Sequence, residues 1–131
     1  MEIHESAEDY LEAILRLSQE TPEVRSVDIA SMLKVSKPSV SHAMKLLREN
    51  GYIAMDRYGT ITLLDTGREI AERIFERHKI LSAVFENLGV DSEVAMADAC
   101  KVEHDLSDVT FEKIKGYYLT IKKTDEEAAQ E

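Results

Sequence analysis

Apolar residues recur every three or four positions along most of the chain, which is the spacing of helices with one buried face. The first such segment has a capping pattern at Ser6 and runs to about Gln19, where the Thr21–Pro22 pair breaks it. We therefore predict a first helix there. Its apolar positions are Tyr10, Leu11, Ile14, Leu15 and Leu17.

Two short helical segments joined by a tight turn come next. The first starts at Ser26, and the second runs from Lys37 to Asn50 with Pro38 in its first turn. Gly51 suits the left-handed residue that ends a helix. Two short helices, the second opening with small polar residues, predict a helix-turn-helix.

The pattern changes at residues 52–63, where β-branched residues flank a turn at Tyr58–Gly59 and predict a β-hairpin. A hairpin directly after a helix-turn-helix is a wing. We therefore predict a winged helix-turn-helix DNA-binding domain over residues 1–65.

Helical spacing returns after the wing and predicts a mainly α fold. A long helix is expected from about Thr66 to Leu88, ended by Gly89, and two more helices are expected behind the caps Asp91 and Ser107. We assign residues 66–123 to an all-helical domain and expect 124–131, acidic and rich in small residues, to be a flexible tail.

Composition narrows the class of protein. The 131 residues contain one cysteine, which excludes an internal disulfide and fits a reducing compartment. The acidic, polar N-terminus does not resemble a signal peptide, and no apolar run approaches the roughly 20 residues of a membrane helix. We expect a cytoplasmic protein without membrane contact. The net charge is −10, yet residues 34–57 hold five basic side chains against two acidic ones, so the predicted DNA-binding region is locally positive.

Candidate chemistry is concentrated at Cys100, Glu103 and His104. On a helix, positions i, i+3 and i+4 share one face, so a thiolate, a carboxylate and an imidazole would point the same way. These groups are ligands for a soft-to-borderline divalent metal. A buried structural cysteine beside two solvated residues is the alternative interpretation.

Four segments resemble the metal-dependent repressors related to the diphtheria toxin repressor and its short manganese-sensing relatives. They occur in the family's order and span roughly residues 5–120. The resemblance implies a short form without the family's C-terminal SH3-like domain. Residues 6–12 resemble the family's N-terminal helix, and residues 36–44 resemble its recognition helix. Residues 77–81 resemble the segment that holds a ligand histidine, and residues 98–107 resemble the central ligand motif.

Carried over position by position, the resemblance implies six metal ligands. Manganese sensors usually have glutamate at the position of Cys100, whereas iron sensors have cysteine there but methionine at the position of Asp9. The implied metal is therefore iron(II) or manganese(II), and zinc is possible in vitro. The implied ligands are Asp9, Glu12, His78, Cys100, Glu103 and His104.

The resemblance further implies a homodimer that binds a palindromic double-stranded DNA operator to control metal homeostasis genes, with the metal fixing the dimer geometry. The apolar faces of the helices beyond residue 66 are the expected dimer interface. The expected DNA contacts are Ser36, Lys37, Pro38, Ser39, Ser41, His42, Lys45, Arg57 and Tyr58.

Two other functions were weighed against this one. The first is a winged-helix regulator that no metal controls, which gel shifts with and without a chelator would distinguish. The second is a small metallohydrolase built on Cys100, Glu103 and His104, which would need a general base and an open cleft. Because no catalytic motif accompanies these residues, we expect that the protein is not an enzyme.

Overall fold

The computed structural model describes residues 5–129 as six helices and one two-stranded antiparallel sheet. The chain divides into two compact units, residues 1–74 and 75–131, and the division falls inside the fourth helix. Of the described helices, none combines the length and the apolarity needed to cross a lipid bilayer. The elements are α1 (Glu5–Ser18), α2 (Ser26–Leu33), α3 (Lys37–Glu49), β1 (Ile53–Met55), β2 (Ile61–Leu63), α4 (Asp65–Asn87), α5 (Ser92–Val102) and α6 (Asp108–Ala129).

The first unit confirms the predicted winged helix-turn-helix. Lys34 ends α2 in the left-handed conformation, with φ of 56°, and the chain turns into α3. The hydroxyl oxygen of Ser36 caps α3 by accepting a hydrogen bond of 3.2 Å from the Ser39 amide. Strands β1 and β2 pair with Ala54 opposite Thr62, and β2 also bridges to Val24. The core of this unit includes Leu11, Ile14, Ile29, Val40, Met44, Leu47, Ile53, Ile61 and Ile74.

The wing is joined to the start of α4 by hydrogen bonds to two main-chain carbonyl groups. The Tyr52 carbonyl accepts a hydrogen bond of 3.0 Å from the Leu64 amide, and the Gly51 carbonyl accepts one of 2.7 Å from the Thr66 hydroxyl. A Cβ atom at Gly67 would lie 2.2 Å from the Tyr52 carbonyl oxygen, a distance that no side chain tolerates. Glycine is therefore required at position 67 for this close approach.

The second unit contains the rest of α4 together with α5 and α6, and its buried apolar residues are Ile80, Leu81, Ala95, Ala99 and Phe111. The predicted caps are present. Asp91 accepts a hydrogen bond from the Glu93 amide at the start of α5, and Ser107 accepts one of 3.1 Å from the Thr110 amide at the start of α6.

Three predicted boundaries differ from the structure. Ser6 does not cap α1, because α1 already includes Glu5. Helix α6 continues to Ala129 through the segment expected to be a flexible tail from residue 124; residues 130–131 lie outside the described part. Small and acidic residues at this end are compatible with a helix, since alanine and glutamate are strong helix formers. The prediction that Cys100, Glu103 and His104 share one helix is also wrong, because α5 ends at Val102.

Candidate metal centre and nucleic-acid interface

Three of the predicted metal ligands come together in the second unit. His78 projects from α4, Cys100 lies in the last turn of α5, and Glu103 is the residue that caps the end of α5. Nδ1 of His78 lies 3.0 Å from Oε2 of Glu103 and 3.6 Å from Sγ of Cys100. All three ligand atoms lie within 4.8 Å of one another, so one ion could contact all of them.

Glu103 and Cys100 stay close although the helix ends between them. Glu103 keeps right-handed helical dihedral angles, φ −56° and ψ −28°, and its amide still donates to the Ala99 carbonyl at 2.9 Å. Its side chain therefore follows the helical direction of the preceding turn. His104 lies beyond the helix, with Nε2 3.5 Å from Oε1 of Glu103, so the Glu103 carboxylate lies between two imidazoles.

The donor set fits a divalent transition metal. The Glu103 carboxylate is fully buried, and its Oε1 makes no hydrogen bond within residues 5–129, which is costly for a charged oxygen unless a cation neutralises it. A thiol, two imidazoles and a carboxylate bind iron, zinc or manganese more readily than calcium or magnesium. These residues therefore match the chemistry of a metal site, whereas the exposed Cys100 thiol alone would not define one.

The other two predicted ligands, Asp9 and Glu12, lie in the first unit. They are three residues apart on α1, and the Glu12 side chain is buried whereas Asp9 is partly exposed. A buried carboxylate on an otherwise apolar helix face is unusual unless it is paired. Their place in the ligand set stays a prediction from the sequence.

The local environment raises the pKa of His78 to about 10. Hydrogen bonding to Cys100 makes the largest contribution and that to Glu103 the second, because both partners stabilise the imidazolium; burial opposes them. A protonated His78 places its positive charge 3.0 Å from the buried Glu103 side chain. A cation that bound through Nδ1 of His78 would have to displace this proton, so its affinity would increase with pH.

The metal-free protein is expected to lose stability as the pH rises from about 6.5 to about 10. The His78 pKa is higher in the folded than in the unfolded chain, so its contribution is complete below about 6.5 and disappears as the folded imidazolium deprotonates near 10. Urea unfolding in the presence of chelator across this range measures the effect. A His78→Gln control should have a flatter pH dependence, and identical slopes for the two proteins would contradict the assignment.

All nine predicted DNA-contacting residues are exposed on the first unit. On α3, Pro38, His42 and Lys45 lie roughly opposite the buried face of the helix, which is formed by Val40, Met44 and Leu47. Two wing residues pack on each other: the Arg57 guanidinium donates to the Tyr58 hydroxyl at 2.7 Å and lies 4.8 Å from the centre of its ring. The nine are Ser36, Lys37, Pro38, Ser39, Ser41, His42, Lys45, Arg57 and Tyr58.

Two of these side chains also have a structural role. The Ser36 hydroxyl donates to Oγ of Ser39 at 2.8 Å while it accepts from the Ser39 amide. Ser36 and Ser39 therefore hold the first turn of α3, which presents the start of the helix in a fixed conformation.

One residue beside the metal cluster was not predicted to contribute. Arg77 precedes His78 on α4, its side chain is only 6% exposed, and it bonds to the segment that contains Glu103. In the sequence it lies in the polar run Glu76–Lys79, a context in which an arginine is usually solvated. Its partners lie 26 or more residues away, so no local pattern indicates its burial.

Two family models match the chain. The one described as iron dependent repressor, N-terminal DNA binding domain, matches residues 2–61. The one described as iron dependent repressor, metal binding and dimerisation domain, matches residues 64–127. Together they cover most of the chain and follow the order of the winged helix-turn-helix and the helical unit.

Individual relatives agree with the family models. An HTH-type transcriptional regulator of Methanocaldococcus jannaschii is 35% identical over 113 residues, which are 85% of this chain and 90% of the relative. The transcriptional regulator MntR of Escherichia coli is 36% identical over 111 residues, covering 85% of this chain and 72% of the relative. A solved manganese-dependent transcriptional repressor in complex with manganese has a TM-score of 0.78 at 30% identity, covering 86% of this chain. This chain spans about half of that structure, 52% of its length.

A winged helix-turn-helix combined with a cluster of transition-metal ligands in a helical unit defines a class, the metal-dependent transcriptional repressors. The chain belongs to the iron-dependent repressor family, as the resemblance of its four segments implied.

Proposed function

We propose that this repressor holds a divalent metal at His78, Cys100, Glu103 and His104. The observation that carries the proposal is the buried Glu103 carboxylate, 3.0 Å from His78 and 3.5 Å from His104, with one oxygen that makes no hydrogen bond within the described chain. Asp9 and Glu12 complete the proposed ligand set on the resemblance alone. When bound, the metal supplies a compact positive charge and directional coordination for these donors.

The chain's own groups prepare the site for that ion. Burial keeps water away from Glu103, so its carboxylate attracts a cation more strongly than a solvated one would. In the absence of a metal, a protonated His78 would supply the positive charge beside Glu103. A divalent ion in place of this one proton would raise the local charge by one unit, and loss of the Cys100 thiol proton on binding would offset that increase.

We propose that residues 1–65 bind DNA and that residues 66–123 dimerise and hold the metal. The boundary is supported by the two family models, since the first ends at residue 61 and the second begins at residue 64. The proposed complex is a homodimer on a palindromic operator, since a two-fold dimer presents two identical α3 helices. Only one dimer geometry matches the half-site spacing, and we propose that the metal-loaded state favours it.

We propose iron(II) as the preferred metal, with manganese(II) second. A thiolate at Cys100 is softer than the carboxylate that manganese favours. An anaerobic DNA-binding titration with iron(II), manganese(II), zinc(II) or chelator tests the function and the order of metals together. Operator binding that is equally tight in chelator would contradict metal control and favour a winged-helix regulator that no metal governs.

Lys45→Ala or Arg57→Ala is expected to weaken binding to every DNA sequence alike. Each removes one exposed positive charge, so the slope of log affinity against log salt should fall by about one unit per lost phosphate contact. His42→Ala, on the same exposed face of α3, should change base preference instead. Filter binding to operator and to unrelated DNA over a salt series separates the two effects. A base-specific loss in the Lys45 variant would contradict its assignment to phosphate.

A further inference from the structure

The turn between α5 and α6 carries Glu103 and His104, two of the proposed metal ligands. Helix α5 ends at Val102 and α6 begins at Asp108. Carbonyl groups at the end of a helix have no partner inside the helix. The backbone position of Glu103 therefore depends on what the carbonyls of this turn contact.

Arg77 supplies the donors for this turn. Its Nη1 donates to the Glu103 carbonyl at 3.0 Å and to the Leu106 carbonyl at 2.7 Å, and its Nη2 donates to the Asp108 carboxylate. The guanidinium also lies 5.1 Å from the centre of the Phe111 ring. One buried side chain of α4 thus contacts the end of α5, the turn, and the first residues of α6.

Two consecutive residues of α4 contact Glu103, one at its backbone and one at its side chain. Arg77 bonds to the backbone carbonyl of Glu103, and His78 lies 3.0 Å from its carboxylate. Neighbouring side chains on a helix diverge by about 100°, so the two side chains reach Glu103 from different directions. Both the backbone and the side chain of Glu103 are therefore held in place. Its second carboxylate oxygen, Oε1, makes no hydrogen bond within the described residues and can accept a metal.

We infer that Arg77 is a positioning residue of the metal centre, which holds the Glu103–Asp108 turn in the conformation that presents Glu103 and His104. This inference rests on the proposed function. Arg77 does not touch the ion; it sets the geometry of ligands that do, and outer partners of metal ligands commonly change metal affinity by about 10- to 100-fold.

The guanidinium shape matters as much as its charge. Arginine donates from a planar fork to several acceptors at once, whereas a lysine ammonium is a point charge on a flexible stem. Arg77→Lys therefore keeps the charge and loses part of the fork, and Arg77→Met keeps the apolar stem and loses every donor. Lys79→Met is the matched control, because Lys79 also adjoins His78 but is exposed, with its ammonium 4.5 Å from the Phe75 ring.

The test is a cobalt(II) titration followed by absorption, together with amide hydrogen exchange of the metal-free chain. We expect Arg77→Lys and Arg77→Met to weaken cobalt(II) binding by about 10- to 100-fold, the methionine variant more, with Lys79→Met unchanged. Exchange should accelerate at the amides of Glu103 and Asp105, which bond to Ala99 and Val102, and stay unchanged in α2 and α3. Faster exchange confined to this turn would show that Arg77 positions the turn, whereas faster exchange throughout the chain would show that Arg77 stabilises the whole fold.

Wild-type affinity in both Arg77 variants would overturn the inference while leaving the metal site itself intact. Loss of helical circular dichroism in both variants would also overturn it, because the role would then be stability of the whole unit. If wild-type protein bound no cobalt(II), the proposed function and this inference would both be wrong.

Discussion

Glu103→Gln is expected to abolish metal-dependent operator binding while leaving the metal-free protein folded. The carboxylate is fully buried and lies between His78 and His104, so the substitution removes the negative charge from the centre of the proposed ligand set. Glutamine has nearly the same volume but is neutral, and an amide oxygen is a poor ligand for a transition metal.

The expected loss of metal affinity is more than about 100-fold, because changing an outer partner of a ligand already costs up to about that much. Isothermal titration with cobalt(II) or manganese(II) measures it, and gel shifts with operator measure the consequence. The variant fold should survive, since glutamine can still accept a hydrogen bond from His78. Breaking a buried ion pair by truncation, as in Glu103→Ala, would cost more stability, about 3–5 kcal/mol.

Glu76→Gln is the matched control, because it neutralises a carboxylate on α4 that bonds to Lys115 at 2.7 Å and is absent from the ligand cluster. It should bind metal like the wild type. If Glu103→Gln instead kept unchanged metal dependence, Glu103 would be a structural partner of His78 and the proposed ligand set would be wrong.

Cys100→Glu is expected to reverse the order of metals. Sγ of Cys100 lies 3.6 Å from Nδ1 of His78 at the exposed side of the cluster, so a longer carboxylate can be accommodated there. A thiolate favours iron(II), cobalt(II) and zinc(II) over manganese(II), whereas a carboxylate favours manganese(II). The wild type should respond to iron(II) at the lower concentration, and the variant to manganese(II).

Activation of operator binding must be measured separately from metal affinity. Zinc(II) can bind tightly in four-coordinate geometry and still fail to produce the dimer that fits the operator. Cys100→Ala controls for simple loss of the thiol: it should weaken both metals without favouring manganese(II). An unchanged iron-to-manganese activation ratio in Cys100→Glu would show that the thiol is not a ligand and that Cys100 is a packing residue.

Local patterns predicted most of the secondary structure, because caps and turns depend on adjacent residues. Asp91 and Ser107 cap the helices that the sequence assigned to them. Helix ends without such signals are harder to predict. No residue between Cys100 and His104 is a typical helix terminator, yet α5 ends at Val102, next to the Glu103 carbonyl that accepts a hydrogen bond from Arg77 of α4.

The sequence predicts the side chains that meet at the candidate site, but not Arg77, which bonds to the backbone beside them. The types and order of His78, Cys100 and Glu103 carry the family resemblance, and the structure brings these three together. Arg77 was missed because its importance comes from contacts with Leu106 and Asp108, which only the tertiary fold creates. A buried arginine is difficult to predict from the sequence, since most arginine side chains are exposed to solvent.

The close approach of Gly67 to the Tyr52 carbonyl bears on how such a protein can be redesigned. The base of the wing is held by main-chain contacts, and its tip has no buried side chains at Arg57 and Tyr58. Randomising the tip should therefore leave the hairpin in place, so that a library there varies the DNA-facing chemistry on a constant scaffold. Position 67 should stay glycine in such a library, because a Cβ atom there would lie 2.2 Å from the Tyr52 carbonyl oxygen and force the backbone to shift.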